Sequence, residues 1–128
     1  MPDFKKYFKI KASASDVYNA IVNPNMIELW TGEDATMDDK PGTEFSLYDG
    51  FIVGKNIEME KDKKIVQQWY FGEQEAPSIV TIILHPDKKE TSIELRHTNI
   101  PEDSFENITD GWEEAYFGPI SELLEDIE

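Results

Sequence analysis

The chain has 128 residues, with 27 acids against 12 bases and a formal charge of −15. That length fits one domain able to bury a core, and a surface so acidic repels phosphate backbones and anionic headgroups, which excludes nucleic acid and membranes as expected partners. There is no cysteine, so disulfides, thiolate metal sites and a cysteine nucleophile are excluded together.

The first eleven residues hold four lysines and one acid. Phe4, Phe8 and Ile10 fall on one side of an extended segment and Lys5, Lys9 and Lys11 on the other, the pattern of a half-buried strand. No apolar h-region of a signal peptide precedes it, and no apolar run approaches the roughly 20 residues of a membrane span; the expectation is a cytoplasmic protein. Ser13 and Asp16 have capping-box spacing and start a helix, with Val17, Ala20 and Ile21 as its apolar stripe. Asn23-Pro24 interrupts it, and Asn23 caps a second short helix with Pro24 at its first position. Met26, Ile27 and Trp30 supply the buried side of that helix, and Thr31-Gly32 ends it.

Residues 33–37 have the composition of a short edge strand, and 38–42 of a loop. Thr43 to Tyr48 reads as a strand, and Asp49-Gly50 as a hairpin turn. Phe51 to Glu60 follows, with Phe51, Val53, Ile57 and Met59 expected on one face. Ile65 to Phe71 is a further strand with Ile65, Trp69 and Phe71 on a common side, which Gln67 shares. Gly72 to Pro77 is a loop, Ser78 to Leu84 a strand apolar on both faces, and Thr91 to Thr98 the last strand. Strands joined by tight turns imply an antiparallel meander. Phe105, Ile108, Trp112, Tyr116, Ile120, Leu123 and Ile127 then step by three or four residues, a single apolar stripe over about six helical turns. Gly118-Pro119 lies inside it and predicts a kink. The order β-α-α-β-β-β-β-β-β-α is an α+β fold in which a curved antiparallel sheet wraps a long C-terminal helix.

Thr98-Asn99-Ile100-Pro101, then Gly111-Trp112-Glu113-Glu114-Ala115-Tyr116-Phe117 and the spaced Ile120 and Leu123, resemble the C-terminal signature of the heat-shock-protein-ninety ATPase-activator homologue family. Residues 12–21 and Leu29-Trp30-Thr31-Gly32 match its N-terminal half. The resemblance implies a single START-like (SRPBCC) domain over residues 1–128. It also implies the helix-grip fold, with about six to seven strands curled around the last helix and a cavity between them. Superfamily members commonly bind apolar small molecules, and a few are enzymes. The eukaryotic co-chaperones of the family add an N-terminal domain that binds and stimulates the chaperone; nothing in these 128 residues corresponds to it.

Chemistry-bearing motifs are sparse. His85 and His97 have no metal-ligand spacing, and Glu33, Asp34, Asp38 and Asp39 lack the register of a calcium loop, so neither a metal nor a cofactor is expected. No nucleophile elbow or phosphate cradle occurs. Asn107-Ile108-Thr109 matches a glycosylation sequon but has no secretory context. Gln67 and His97 are polar residues on faces that otherwise point inward. Each is either satisfied locally or available to orient a ligand. Trp30, Phe45, Trp69, Trp112 and Tyr116 either fill the space between sheet and helix or line a pocket in it. The ligand-lining candidates are therefore Trp30, Phe45, Val53, Gln67, Trp69, His97, Trp112 and Tyr116.

Three functions are open at this point. A binding module for a small apolar molecule leads. The alternative is a protein-interaction module or chaperone accessory, favoured by ten acids and no Lys or Arg between Pro101 and Glu128. Hydrolase or cyclase-type chemistry is the third, with His97 as its acid/base group. The chain is expected to be a monomer, since like charge disfavours self-association.

Overall fold

The computed structural model describes residues 2–72 and 76–127. Strand β1 (Phe4–Ile10) leads into helices α1 (Ala14–Val22) and α2 (Pro24–Thr31). Five strands follow: β2 (Glu44–Leu47), β3 (Ile52–Glu60), β4 (Lys64–Trp69), β5 (Ser78–Asp87) and β6 (Glu90–Thr98). The chain ends in a 3-10 turn (Glu102–Ser104), helix α3 (Phe105–Gly111), a π-helical stretch (Trp112–Phe117) and helix α4 (Gly118–Ile127). Among the described residues no helix is long and apolar enough to cross a membrane.

The helix boundaries follow from their caps. The Ser13 hydroxyl accepts from the Asp16 amide at 3.1 Å. The Asn23 side chain accepts from the Asn25 amide at 2.9 Å, with Pro24 opening α2 where no N–H is needed. Gly32 closes α2 in the left-handed conformation (φ 76°), which an L side chain rarely adopts.

All six strands form one antiparallel sheet in the order β1-β6-β5-β4-β3-β2. The meander runs from β2 to β6, and the first strand returns to pair with the last. Of the expected strand over residues 33–37 only a single bridge forms, Thr36 to Ser46. Strand β5 alternates: Ser78, Val80, Ile82 and Leu84 are buried, while Ile79, Thr81 and Ile83 are half-buried on the other face. β5 and β6 meet α1, and Trp69 of β4 and His97 of β6 meet Trp112 of the terminal helical segment.

Two expectations on packing are corrected. In β3 the inward residues are Gly54 and Asn56, whereas Phe51 is 87% and Ile57 43% exposed. The Phe45 ring sits where a side chain at position 54 would stand: an added Cβ would lie 2.7 Å from it. A bulge between Asn56 and Glu58 then shifts the phase of the strand, so apolar spacing there does not mark one face.

The terminal helix does not carry one unbroken stripe either. Phe105 and Ile108 are only half-buried, and below Trp112 and Tyr116 the buried residues are Phe117, Ile120 and Leu124. The Ile127 side chain lies outside the described part. The cause is Gly118-Pro119. Pro119 has no N–H to give the Ala115 carbonyl four residues earlier. The Gly118 amide reaches back five residues to the Glu113 carbonyl, which widens the turn. A Cβ on Gly118 would lie 2.4 Å from that carbonyl oxygen, so the wide turn requires glycine. The expected kink therefore takes the form of a π-helical stretch ahead of the proline.

Candidate functional site

The inner face of the sheet carries a row of polar residues, Asn56, Gln67, Ser78 and His97, all fully or almost fully buried. Each is satisfied. The Trp69 indole N–H donates to Gln67 Oε1 at 3.0 Å, and Gln67 Nε2 donates to Asn56 Oδ1 at 3.0 Å. Asn56 Nδ2 donates in turn to the Asp38 carbonyl and the Thr43 hydroxyl. This chain of bonds ties the aromatic interior to the loop before β2.

A second relay runs through His97. The Trp112 indole N–H donates to His97 Nδ1 at 3.1 Å. His97 Nε2 stands 2.8 Å from the Ser78 hydroxyl, which donates to the Thr98 carbonyl at 3.1 Å. Since Nδ1 accepts, the proton of the neutral ring is on Nε2 and is given to Ser78. Burial disfavours the imidazolium and lowers the pKa of His97 from 6.5 to about 4. Both ring nitrogens are engaged, so this histidine orients Trp112 and has no free nitrogen to exchange protons with a substrate.

With their N–H groups fixed, the tryptophans stack. Trp69 and Trp112 lie 4.7 Å apart between ring centroids, with 28° between their planes. Trp112 also packs on Tyr116 at 4.7 Å and on Phe117 at 5.7 Å. Trp30 donates to the Ala20 carbonyl at 2.8 Å and presents its ring to Tyr116. These rings fill the centre of the space between sheet and helix.

That space is open at one end. A groove of about 900 Å³ lies between the β2–β3 turn, the adjoining ends of β3 and β4, and the helical segment from Ser104 to Tyr116. Its lining includes seven aromatic residues: Tyr48, Phe51, Trp69, Tyr70, Phe71, Trp112 and Tyr116. Of the eight residues singled out in the sequence, Val53, Trp69, Trp112 and Tyr116 lie along this groove. Trp30, Phe45, Gln67 and His97 stand behind it, in the packed interior.

Tyr48 and Tyr116 distinguish the groove from a simple gap. The Tyr48 hydroxyl donates at 2.5 Å to the Ala115 carbonyl, the group that Pro119 leaves without its helical donor. The Tyr116 hydroxyl is buried and has no hydrogen-bond partner among the described residues. Burial, reinforced by the nearby Tyr48, pushes its pKa well above the usual tyrosine value, so the group stays protonated. Sequence inspection placed Tyr48 and Phe51 at strand ends but did not single them out as ligand-lining candidates. An aromatic on each side of a hairpin turn was the available signal, but nothing local tells that this turn folds back onto the last helix.

Comparison with known proteins now places the chain. It matches the family described as "Activator of Hsp90 ATPase homolog 1-like protein" over residues 11–125. The chain belongs to that family. An activator of 90 kDa heat shock protein ATPase homolog from Dictyostelium discoideum is 36% identical over 107 residues, which are 81% of this chain and 28% of that protein. The human activator homolog 1 is 27% identical over 114 residues, 88% of the chain and 34% of that protein. The chain thus spans about a third of the length of these activator homologues. The crystal structure of an HSP90 activator from Plasmodium falciparum superposes with a TM-score of 0.87 at 27% identity, covering 96% of each chain. The solution structure of the Aha1 dimer from Colwellia psychrerythraea has the same fold, with a TM-score of 0.85 at 18% identity over 98% of this chain and 97% of that one. In this helix-grip architecture the terminal helix lies across the sheet, and in this chain the groove lies beside its segment from Ser104 to Tyr116.

Proposed function

We propose that this domain of the activator-homologue family binds a small, largely apolar molecule in the groove between the β2–β3 turn and the terminal helix. The observation that carries this reading is an aromatic-lined groove of about 900 Å³ between the β2–β3 turn and the terminal helix. Concave, largely apolar walls with a few polar groups are the usual form of a small-molecule site. A ligand that covers Phe51 and Tyr70, which are 87% and 36% exposed, removes apolar surface from water. A thermal-shift and NMR screen of apolar compounds tests this: binders should move the resonances of Trp69, Trp112 and Tyr116. A screen without binders, or shifts that map elsewhere, overturns it.

A second reading comes from the relatives. They are named as activators of the heat-shock protein's ATPase, and the acidic outer side of the terminal helix offers a surface for a basic protein. We propose that the domain acts as an accessory that docks on such a chaperone. Purified chain added to the chaperone should raise its ATPase rate in a salt-sensitive manner; no stimulation and no salt-sensitive association would reject this reading.

A further inference from the structure

The described groove lining holds two carboxylates, Glu33 and Asp49, both exposed at its mouth, and no Lys, Arg or His. Behind them the walls are largely aromatic. Aromatic faces carry negative electrostatic potential and attract cations within about 6 Å of the ring centre. The carboxylates add a field of the same sign, strengthened by the overall charge of −15. An anionic ligand would meet this field with no cation to receive it.

The walls supply an independent pointer. Phe51 is 87% and Tyr70 36% exposed on the groove, so ring faces are within reach of a ligand. Aromatic faces and carboxylates at the rim both favour positive charge. We infer that the ligand class of this groove is a protonated amine carried on an apolar body, with the ammonium group held by the aromatic wall and the rim carboxylates. This inference rests on the small-molecule reading above and narrows it: neutral hydrocarbons should bind more weakly, and fatty acids and phosphate esters poorly.

Three probes sharing one phenylbutyl body separate the possibilities: a dimethylammonium head, an isopropyl head of nearly equal shape, and a carboxylate head. Calorimetric titration of the whole chain at neutral pH should show the ammonium probe binding about tenfold tighter than its neutral twin, and the carboxylate weakest. The double variant Glu33→Gln, Asp49→Asn should weaken the ammonium probe roughly twofold to fivefold and leave the neutral probe unchanged. Both side chains are exposed, and asparagine tolerates the positive φ of 54° at position 49 as aspartate does, so the fold should persist. Phe51→Leu, at a ring 87% exposed on the groove, should weaken the ammonium probe more than the neutral one. Equal affinity for the ammonium and neutral heads, or an unchanged ammonium preference in the double variant, overturns the assignment while leaving the small-molecule reading in place. If none of the three probes binds, both fall.

Discussion

His97 and Tyr116 are buried titratable side chains beside the stacked tryptophans, and they act in opposite ways. His97 is fully hydrogen-bonded and neutral, with a pKa lowered from 6.5 to about 4 by burial. The unfolded chain therefore binds a proton at a pH where the folded one does not. This contribution to stability is complete above pH 6.5 and is lost as pH falls from there toward 4, by about 3 kcal/mol at the limit. Urea denaturation of the wild type and of His97→Gln across that window checks it. The variant should lose the part of the pH dependence that is centred between those values, and identical profiles would mean that His97 is not buried as described. Tyr116, in contrast, keeps a hydroxyl with no hydrogen-bond partner among the described residues. Tyr116→Phe should leave the unliganded protein as stable as the wild type or more stable by about 1 kcal/mol, measured by the same denaturation. A clear loss of stability would reveal a partner for that hydroxyl within the protein.

At the scale of elements, the terminal helix and the β2–β3 turn are one device. Gly118 lets the helix widen over Trp112–Phe117, and Pro119 frees the Ala115 carbonyl that Tyr48 caps. Alanine is normally the better helix former than glycine by about 1 kcal/mol. Here the sign should reverse, because the added Cβ would stand 2.4 Å from the Glu113 carbonyl. Gly118→Ala should lower stability by about 1–3 kcal/mol, readable as a lower urea midpoint. A stabilised variant would show that the helix is ordinary α at this point. The sequence predicted a disturbance at Gly118-Pro119 from the missing N–H alone. It did not predict its form, a widened turn closed by the Gly118 amide on the Glu113 carbonyl, nor that Tyr48, sixty-seven residues away, would cap the Ala115 carbonyl.

Over the whole molecule, charge is the dominant feature. Twenty-seven acids face twelve bases, and the ion pairs seen, such as Lys64–Glu58 at 2.8 Å and Lys6–Glu113 at 3.7 Å, neutralise only part of that excess. Self-repulsion of this kind destabilises the compact state and is relieved by screening. The melting temperature should rise as sodium chloride goes from about 0.05 M to about 0.5 M, where the screening length falls from roughly 14 to 4 Å. A melting temperature independent of salt would mean that the charges are arranged so that repulsion is already balanced.

The sequence by itself determined the helix caps at Ser13 and Asn23, the six strands of the sheet though not the absence of a seventh over residues 33–37, the α+β architecture and the placing of Trp112 and Tyr116 against the sheet. These depend on local backbone geometry and on periodic burial, which a few consecutive residues encode. It also marked Gln67 and His97 as inward-facing polar groups. Only the tertiary structure decided what those groups do. The partners of His97 are Ser78 and Trp112, and the partners of Gln67 are Asn56 and Trp69, so both are settled within the protein. The inward face of β3 was hidden for a related reason: Phe45 on the neighbouring strand occupies the space above Gly54, and a bulge breaks the alternation. The long C-terminal helix packed on the sheet was therefore legible from spacing alone. Whether its aromatic face closes the interior or leaves a groove was not, because that depends on how rings from distant strands, a turn and a widened helix share one volume.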